Sequence, residues 1–190
     1  MNHLKPVALD KAYRIFNLGA TALVSAAHEG DTDIMPATWI CPLDLDPFLT
    51  TAVIDSSHYT RVLMEKSGYF ALSLPAKGIA RETLYLGSVS KFDEADKLAK
   101  SGAKIMTMPG YDIPFVEGSV ACAIFEIIPE ARNQDNYDLF IGKCVAAWAD
   151  DRVYNDGHWS FDGQSDDLRP LHYVAGGHFF TTGEACEVEI

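Results

Sequence analysis

Along most of this chain apolar residues either alternate with polar ones or run together in short stretches. Only in a few places do they recur at helical spacing. Thr21 to Ala27 (TALVSAA) reads as a strand, with His28-Glu29-Gly30-Asp31 as the turn that ends it. Asp33 to Ile40 is its hairpin partner. Pro36 cannot donate to a ladder, so it places this partner at a sheet edge or a bulge. Phe48 to Ile54 is a third strand. Tyr59 to Lys66 sets Val62, Leu63 and Met64 between charged neighbours and stops at Gly68, as a short helix does. Tyr69 to Leu74 is a strand ended by Pro75, and Asp93 to Lys100 is a second short helix closed by Gly102. Ser119 to Ile128 and Asp138 to Ala149 carry long apolar runs, with turn-rich polar sequence between and after them. Many short strands with two or three short helices predict a mainly β barrel or sandwich. A dinucleotide-binding α/β sheet would need GxGxxG after its first strand, and no such motif occurs.

Composition narrows the function classes. The 190 residues fit a single domain spanning 1–190. Fifteen Lys and Arg against 27 Asp and Glu give a net charge of −12. That balance weighs against nucleic acid and against an anionic membrane surface, both of which need clustered cations. The charged N-terminus (Lys5, Asp10, Lys11, Arg14) has no apolar core of the secretory kind. A cytoplasmic protein is therefore expected. Cys41, Cys122, Cys144 and Cys186 lie far apart without a CxxC pair, and are read as reduced thiols.

Three segments carry candidate chemistry. In Asp55-Ser56-Ser57-His58-Tyr59-Thr60-Arg61, hydroxyls and orphan amides meet at a helix start, where the dipole favours an anion such as phosphate. Ser57 can cap and Arg61 offers a fork, yet a plain cap beside a surface arginine accounts for the same residues. In Met35-Pro36-Ala37-Thr38-Trp39-Ile40, small residues lead into a tryptophan. They suit a flat ring close to backbone, or equally a core tryptophan with a polar rim. Leu168 to Phe180 gathers two histidines, three aromatics and Gly176-Gly177. Those aromatics fit a planar cofactor or a hydrophobic dimer seam. The histidines show no metal-binding spacing, and no GxSxG elbow supports a hydrolase triad. Gly142 reads as a packing or bulge glycine.

Taken in order, these segments resemble a known family. The opening hairpin region (Ala22 to Ile54), Ser56 to Pro75, Gly87 to Gly102, Asp138 to Asp150 and Leu171 to Glu184 are similar in order and spacing to the flavin reductase-like FMN-binding proteins, near the flavoredoxins and ferric reductases. The resemblance implies a Greek-key FMN-binding split β-barrel with a few short helices, forming a homodimer with FMN at the subunit interface. It further implies that Thr38 and Trp39, continued by Ile40 and Cys41, border the flavin, with Pro42 and Leu43 in a loop beneath it. Ser56, Tyr59 and Thr60 would surround the phosphate and ribityl chain. Gly87 and Ser90 would form a turn, and Lys97 would supply positive charge. Phe179 would approach the ring, and His178 would be the polar group at the reacting edge. Two positions depart from the pattern: Lys91 stands where the family usually has glycine, and His58 where arginine or a small residue is common. The function so implied is an NAD(P)H-dependent flavin reductase passing electrons through FMN, with NADH or NADPH as donor. The alternatives are a flavoredoxin-like carrier reduced by a protein partner, and a non-catalytic homodimer that has lost flavin.

Overall fold

The computed structural model describes residues 20–155, 157–186 and 188. The charged N-terminal stretch through residue 19 lies outside them. Thirteen strands, four α-helices and two short 3₁₀ helices make up the regular structure among the described residues. Seven strands form one antiparallel sheet: β1 (Ala22–His28), β2 (Asp31–Ala37), β3 (Ile40–Leu45), β4 (Phe48–Val53), β5 (Tyr69–Pro75), β8 (Ser119–Ile128) and β9 (Leu139–Ala149), in the order β2-β1-β5-β8-β9-β4-β3. The short strands β6 (Ile105–Met106) and β7 (Phe115–Val116), β10 (Tyr154–Asn155) and β11 (His158–Trp159), and β12 (Leu171–Ala175) and β13 (His178–Thr181) pair two by two.

The chain's connectivity forces this sheet to curl. Its two edge strands, β2 and β3, are joined by Thr38 and Trp39 alone. Laid flat, seven strands at ~4.8 Å spacing would hold those edges ~29 Å apart. Three residue steps from Ala37 to Ile40 reach only ~10 Å. The edges must therefore approach each other, as in a barrel that has not fully closed, and the backbone N–H of Val53 donates to Trp39 O at 3.0 Å, carrying the β3–β4 ladder into the link. The interior confirms the closure: Val24 of β1 and Ala52 of β4, with three strands between them in the sheet, share one buried cluster with Phe70, Phe125 and Phe140.

The helix α1 (Tyr59–Ser67) closes that core by placing Leu63 and Met64 in the same cluster, and it ends at Gly68 in the left-handed conformation. β1 is buried along both faces, which explains its near-continuous apolar sequence. One face meets the barrel interior. The other, through Leu23, packs with Ile34, Val116 and Leu86 of α2 (Ala80–Ser88).

The hairpin, the edge position of Pro36, α1 and the long strands β8 and β9 match the expectation. Three differences stand out. Pro42 and Leu43 belong to strand β3 rather than to a loop. An edge strand tolerates proline, and the register shift between Pro42 and Asp44 absorbs it. The second helix is confined to α3 (Lys97–Ser101), while hydrogen-bonded turns occupy residues 91–93 and 95–96. Finally, α2 and α4 (Ala131–Tyr137) were not anticipated. α2 is short, with a glycine near its end, and α4 is polar throughout and held by the chain around it.

Candidate functional site

A cavity of about 700 Å³ opens where β2, the β2–β3 link, the start of α1, the end of α2 and the β12–β13 hairpin converge. Its size falls within the roughly 300–1,000 Å³ of small-molecule and cofactor pockets. β2 runs along it and grades its chemistry. Asp33 lies at one end, and Pro36 and Ala37 lie ~10–13 Å further along at ~3.3 Å per residue. Met35, Pro36, Ala37, Trp39, Leu84, Tyr173 and Phe179 make the apolar part, while Asp33, His58, Tyr59, Thr60, Ser90, Lys91, Asp93 and Lys97 gather towards the other end.

α2 closes on β2 because Gly87 lacks a side chain. A Cβ there would stand 2.6 Å from Pro36 Cγ. Gly87 is thus a helix–strand contact in the cavity wall, not part of a turn.

The polar end is organised by two rungs of charge. Asp31 and Asp33 share one face of β2, as residues two apart on a strand must. In the outer rung, Asp31 pairs with Lys91 through Oδ1 and accepts the Tyr59 hydroxyl at Oδ2. Lys91 Nζ also donates to Thr32 O at 2.6 Å and stands 5.2 Å over the Tyr59 ring. Its hydrogen bond, followed by that of Tyr59, holds the Asp31 carboxyl below its ordinary pKa, while the same bond from Asp31 raises the Tyr59 phenol. In the inner rung, Asp33 Oδ2 accepts from Thr60 Oγ1 at 2.6 Å, and Lys97 Nζ lies 3.0 Å from Oδ1. The contact is a buried ion pair at hydrogen-bonding distance, but its angles do not make a directed hydrogen bond, and Oδ1 has no hydrogen-bond partner. Asp33 and Lys97 are 1% and 2% exposed. Burial pushes the Lys97 pKa down, and the Asp33 charge offsets this only in part.

Of the residues singled out from the sequence, Thr38, Trp39, Tyr59, Thr60, Ser90, Lys97 and Phe179 line the cavity together. Ile40, Cys41 and Pro42 do not. They run on into β3, and Cys41 and Pro42 are exposed. Ser56 is exposed and does not line it, although its neighbours Asp55 and His58 do. His178 does not line it either. β13 alternates, so Phe179 faces the cavity and Tyr173, while His178 is exposed and packs edge-on against Phe180 at 5.2 Å. His178 therefore stands outside the cavity of its own chain.

Arg61 is also reassigned. It is buried, and its guanidinium donates to Ile54 O at 3.1 Å, Gln134 O at 3.0 Å, Glu65 Oε1 at 2.8 Å and Asp138. Burial opposes its charge, but the bonds to Glu65 and Asp138 outweigh that and raise its pKa. It locks α1 to α4 instead of clamping an anion. The N-cap of α1 is His58 rather than Ser57, and it makes no side-chain cap bond. The Ser57 N–H donates to Asp55 Oδ1 at 2.8 Å. The backbone N–H groups of Tyr59 and Thr60 at the helix start, and of Ser90 and Lys91 after α2, donate to nothing among the described residues. Asp31, Asp33, Thr83 and Leu84 escaped the sequence reading. For the two aspartates the period-two spacing on β2 was the available signal.

The model of the flavin reductase like domain family matches residues 18–182. The chain belongs to that family. A solved structure from Shewanella baltica, described as an FMN-binding domain of a flavin reductases-like enzyme, is 44% identical. It superposes with a TM-score of 0.87, covering 96% of each chain. The Escherichia coli K12 protein YddH is 34% identical over 187 residues, 97% of each chain. The flavoredoxin of Methanosarcina acetivorans, at 20% identity and a TM-score of 0.73 over 90% of this chain and 88% of its own, shares the fold. The split-barrel architecture is thus that of the flavin reductase-like family.

The cavity of this family member suits an amphipathic flavin nucleotide. One part offers apolar and aromatic side chains, and the other offers hydroxyls and unclaimed amides. Thr83, 1% exposed and lining the cavity, has a hydroxyl without a partner. A buried polar atom of that kind ordinarily finds a partner, and a bound ligand would supply one.

Proposed function

We propose that this protein is an FMN-binding oxidoreductase that works as an NAD(P)H-dependent flavin reductase. The observation that carries the reading is the graded cavity, apolar at the Trp39 end and rich in hydroxyls and open amides at the α1 end, in a chain of this family. Trp39, Ala37, Leu84 and Phe179 would hold the ring system. Thr60, Ser90 and the α1 amides would hold the phosphate end, where the helix dipole favours an anion. Bound FMN supplies a two-electron centre able to accept a hydride from nicotinamide and pass electrons to a second acceptor. The chain's task is to bind and orient two planar rings, and such positioning accounts for most of what hydride transfer requires.

A homodimer belongs to this proposal. In the single chain Leu43, Leu45 and Phe48 of the β3–β4 hairpin are exposed, with Leu45, 91% exposed, directly opposite Phe48, apolar surface that a second copy would cover.

One observation favours the electron-carrier alternative. Both lysines lining the cavity are already paired with aspartates, so neither offers an uncommitted charge to a dinucleotide. A visible spectrum of the purified protein, taken before and after FMN addition and desalting and then with NADH or NADPH under nitrogen, decides among these readings. Retained flavin that bleaches supports the reductase. Retained flavin that ignores both nucleotides selects the carrier. No retained flavin, with no FMN-dependent NAD(P)H oxidation, refutes both.

A further inference from the structure

We infer that Lys91 is a positioning residue for the phosphate end of the flavin, acting through Asp31 rather than by touching the phosphate. The assignment rests on the FMN reading above and adds a residue and a recognition mode to it.

Three elements that border the cavity are fastened at one point. Lys91 follows α2, Asp31 begins β2, and Tyr59 begins α1; Asp31 receives both the Lys91 ammonium and the Tyr59 hydroxyl. The Lys91 bond to Thr32 O at 2.6 Å and the edge-on contact of Phe92 with Tyr59, 5.0 Å between centroids, tighten the same junction. Lys91 is half-buried, and its charge is spent on these partners. What the junction holds in place are the open amides: those of Ser90 and Lys91 on one side and of Tyr59 and Thr60 on the other, all from residues lining the cavity. Unclaimed N–H groups held from two directions can receive phosphate oxygens without a free cation, and their value depends on being fixed before the ligand arrives.

The test compares FMN with riboflavin, which lacks the phosphate, by quenching of flavin fluorescence in wild type, K91M, K91R and D31N, with Tm measured for each. K91M is expected to weaken FMN about tenfold, the size of one lost charge-assisted contact, and riboflavin less than about twofold. K91R is expected to restore most of the FMN affinity. D31N separates positioning from direct contact. It removes a negative charge near the phosphate and frees Lys91, so simple electrostatics would tighten FMN, whereas loss of the junction weakens it. Weaker FMN binding in D31N supports the assignment. Tighter binding overturns it, as does equal loss of FMN and riboflavin in K91M, or unchanged FMN affinity in K91M. If wild type binds neither flavin, the FMN reading itself fails and takes this assignment with it.

Discussion

Replacing Lys97 by methionine strips the inner rung of its cation and leaves Asp33 buried with one hydrogen bond, from Thr60. At 3.0 Å separation and an effective dielectric of about 20, the lost attraction is about 5 kcal/mol. Breaking buried ion pairs by removing one partner ordinarily costs about 3–5 kcal/mol, since the remaining charge stays desolvated. K97M is therefore expected to lose about 3–5 kcal/mol. The double variant D33N/K97M should lose much less than the two singles summed, because asparagine keeps an acceptor for Thr60 and no charge remains unpaired. D33N alone carries a pH signature. Lys97 already has a folded-state pKa below its ordinary 10.5 through burial, and removing Asp33 lowers it further. A depressed folded pKa means that the folded state binds fewer protons, so stability rises with pH between that value and about 10.5 and is lost as pH falls through it. The deficit of D33N should accordingly shrink from pH 7 towards pH 10. Urea unfolding followed by circular dichroism, at one protein concentration so that self-association stays constant, measures all four species. A K97M loss below about 1 kcal/mol, or single effects that add to within about 0.5 kcal/mol, would refute the reasoning.

Two further perturbations probe other parts of the structure. At Gly142 an added Cβ would stand 2.6 Å from the Phe70 ring and 2.8 Å from Phe125 Cβ, in a packed aromatic core. G142A should thus cost about 1–3 kcal/mol through overpacking, seen as a Tm lower by roughly 2–12 °C for a chain of this size; a Tm at or above wild type would show that the core can yield. Cys122 has a thiol pushed up to about 11 by burial, so about one in a thousand is thiolate at pH 8. Iodoacetamide at that pH should label exposed Cys186 well before Cys122 in a mass-spectrometric time course, and comparable labelling would contradict the burial.

Local pattern carried much of the fold. Periods of two residues, the helix stop at Gly68 and the edge signal of Pro36 depend on neighbours within a turn or a strand, and all appear where expected. β3 was hidden because a proline and two exposed leucines read as loop until the other edge of a curled sheet comes near. α2 was hidden because what holds it is distant, with Leu86 against Leu23 and Gly87 against Pro36.

The sequence by itself determined the mainly β character, the family and most of the segments that line the candidate site, since these reside in residue order and short-range periodicity. That Asp31 and Asp33 share one strand face emerged with β2, since Asp31 reads as part of the turn in the sequence. Only the tertiary structure decided which cations those carboxylates receive: Lys91 and Lys97 lie some sixty residues away along the chain and reach them through the closure of α2 and α3 on β2. The same holds for Arg61, diverted to α4 by an Asp138 that only packing brings near, and for His178, turned from the cavity by the register of β12 and β13. A side chain's chemistry is written in its own residue. Its available charge, facing and partners depend on groups folded against it from elsewhere, and those depend on the closed barrel.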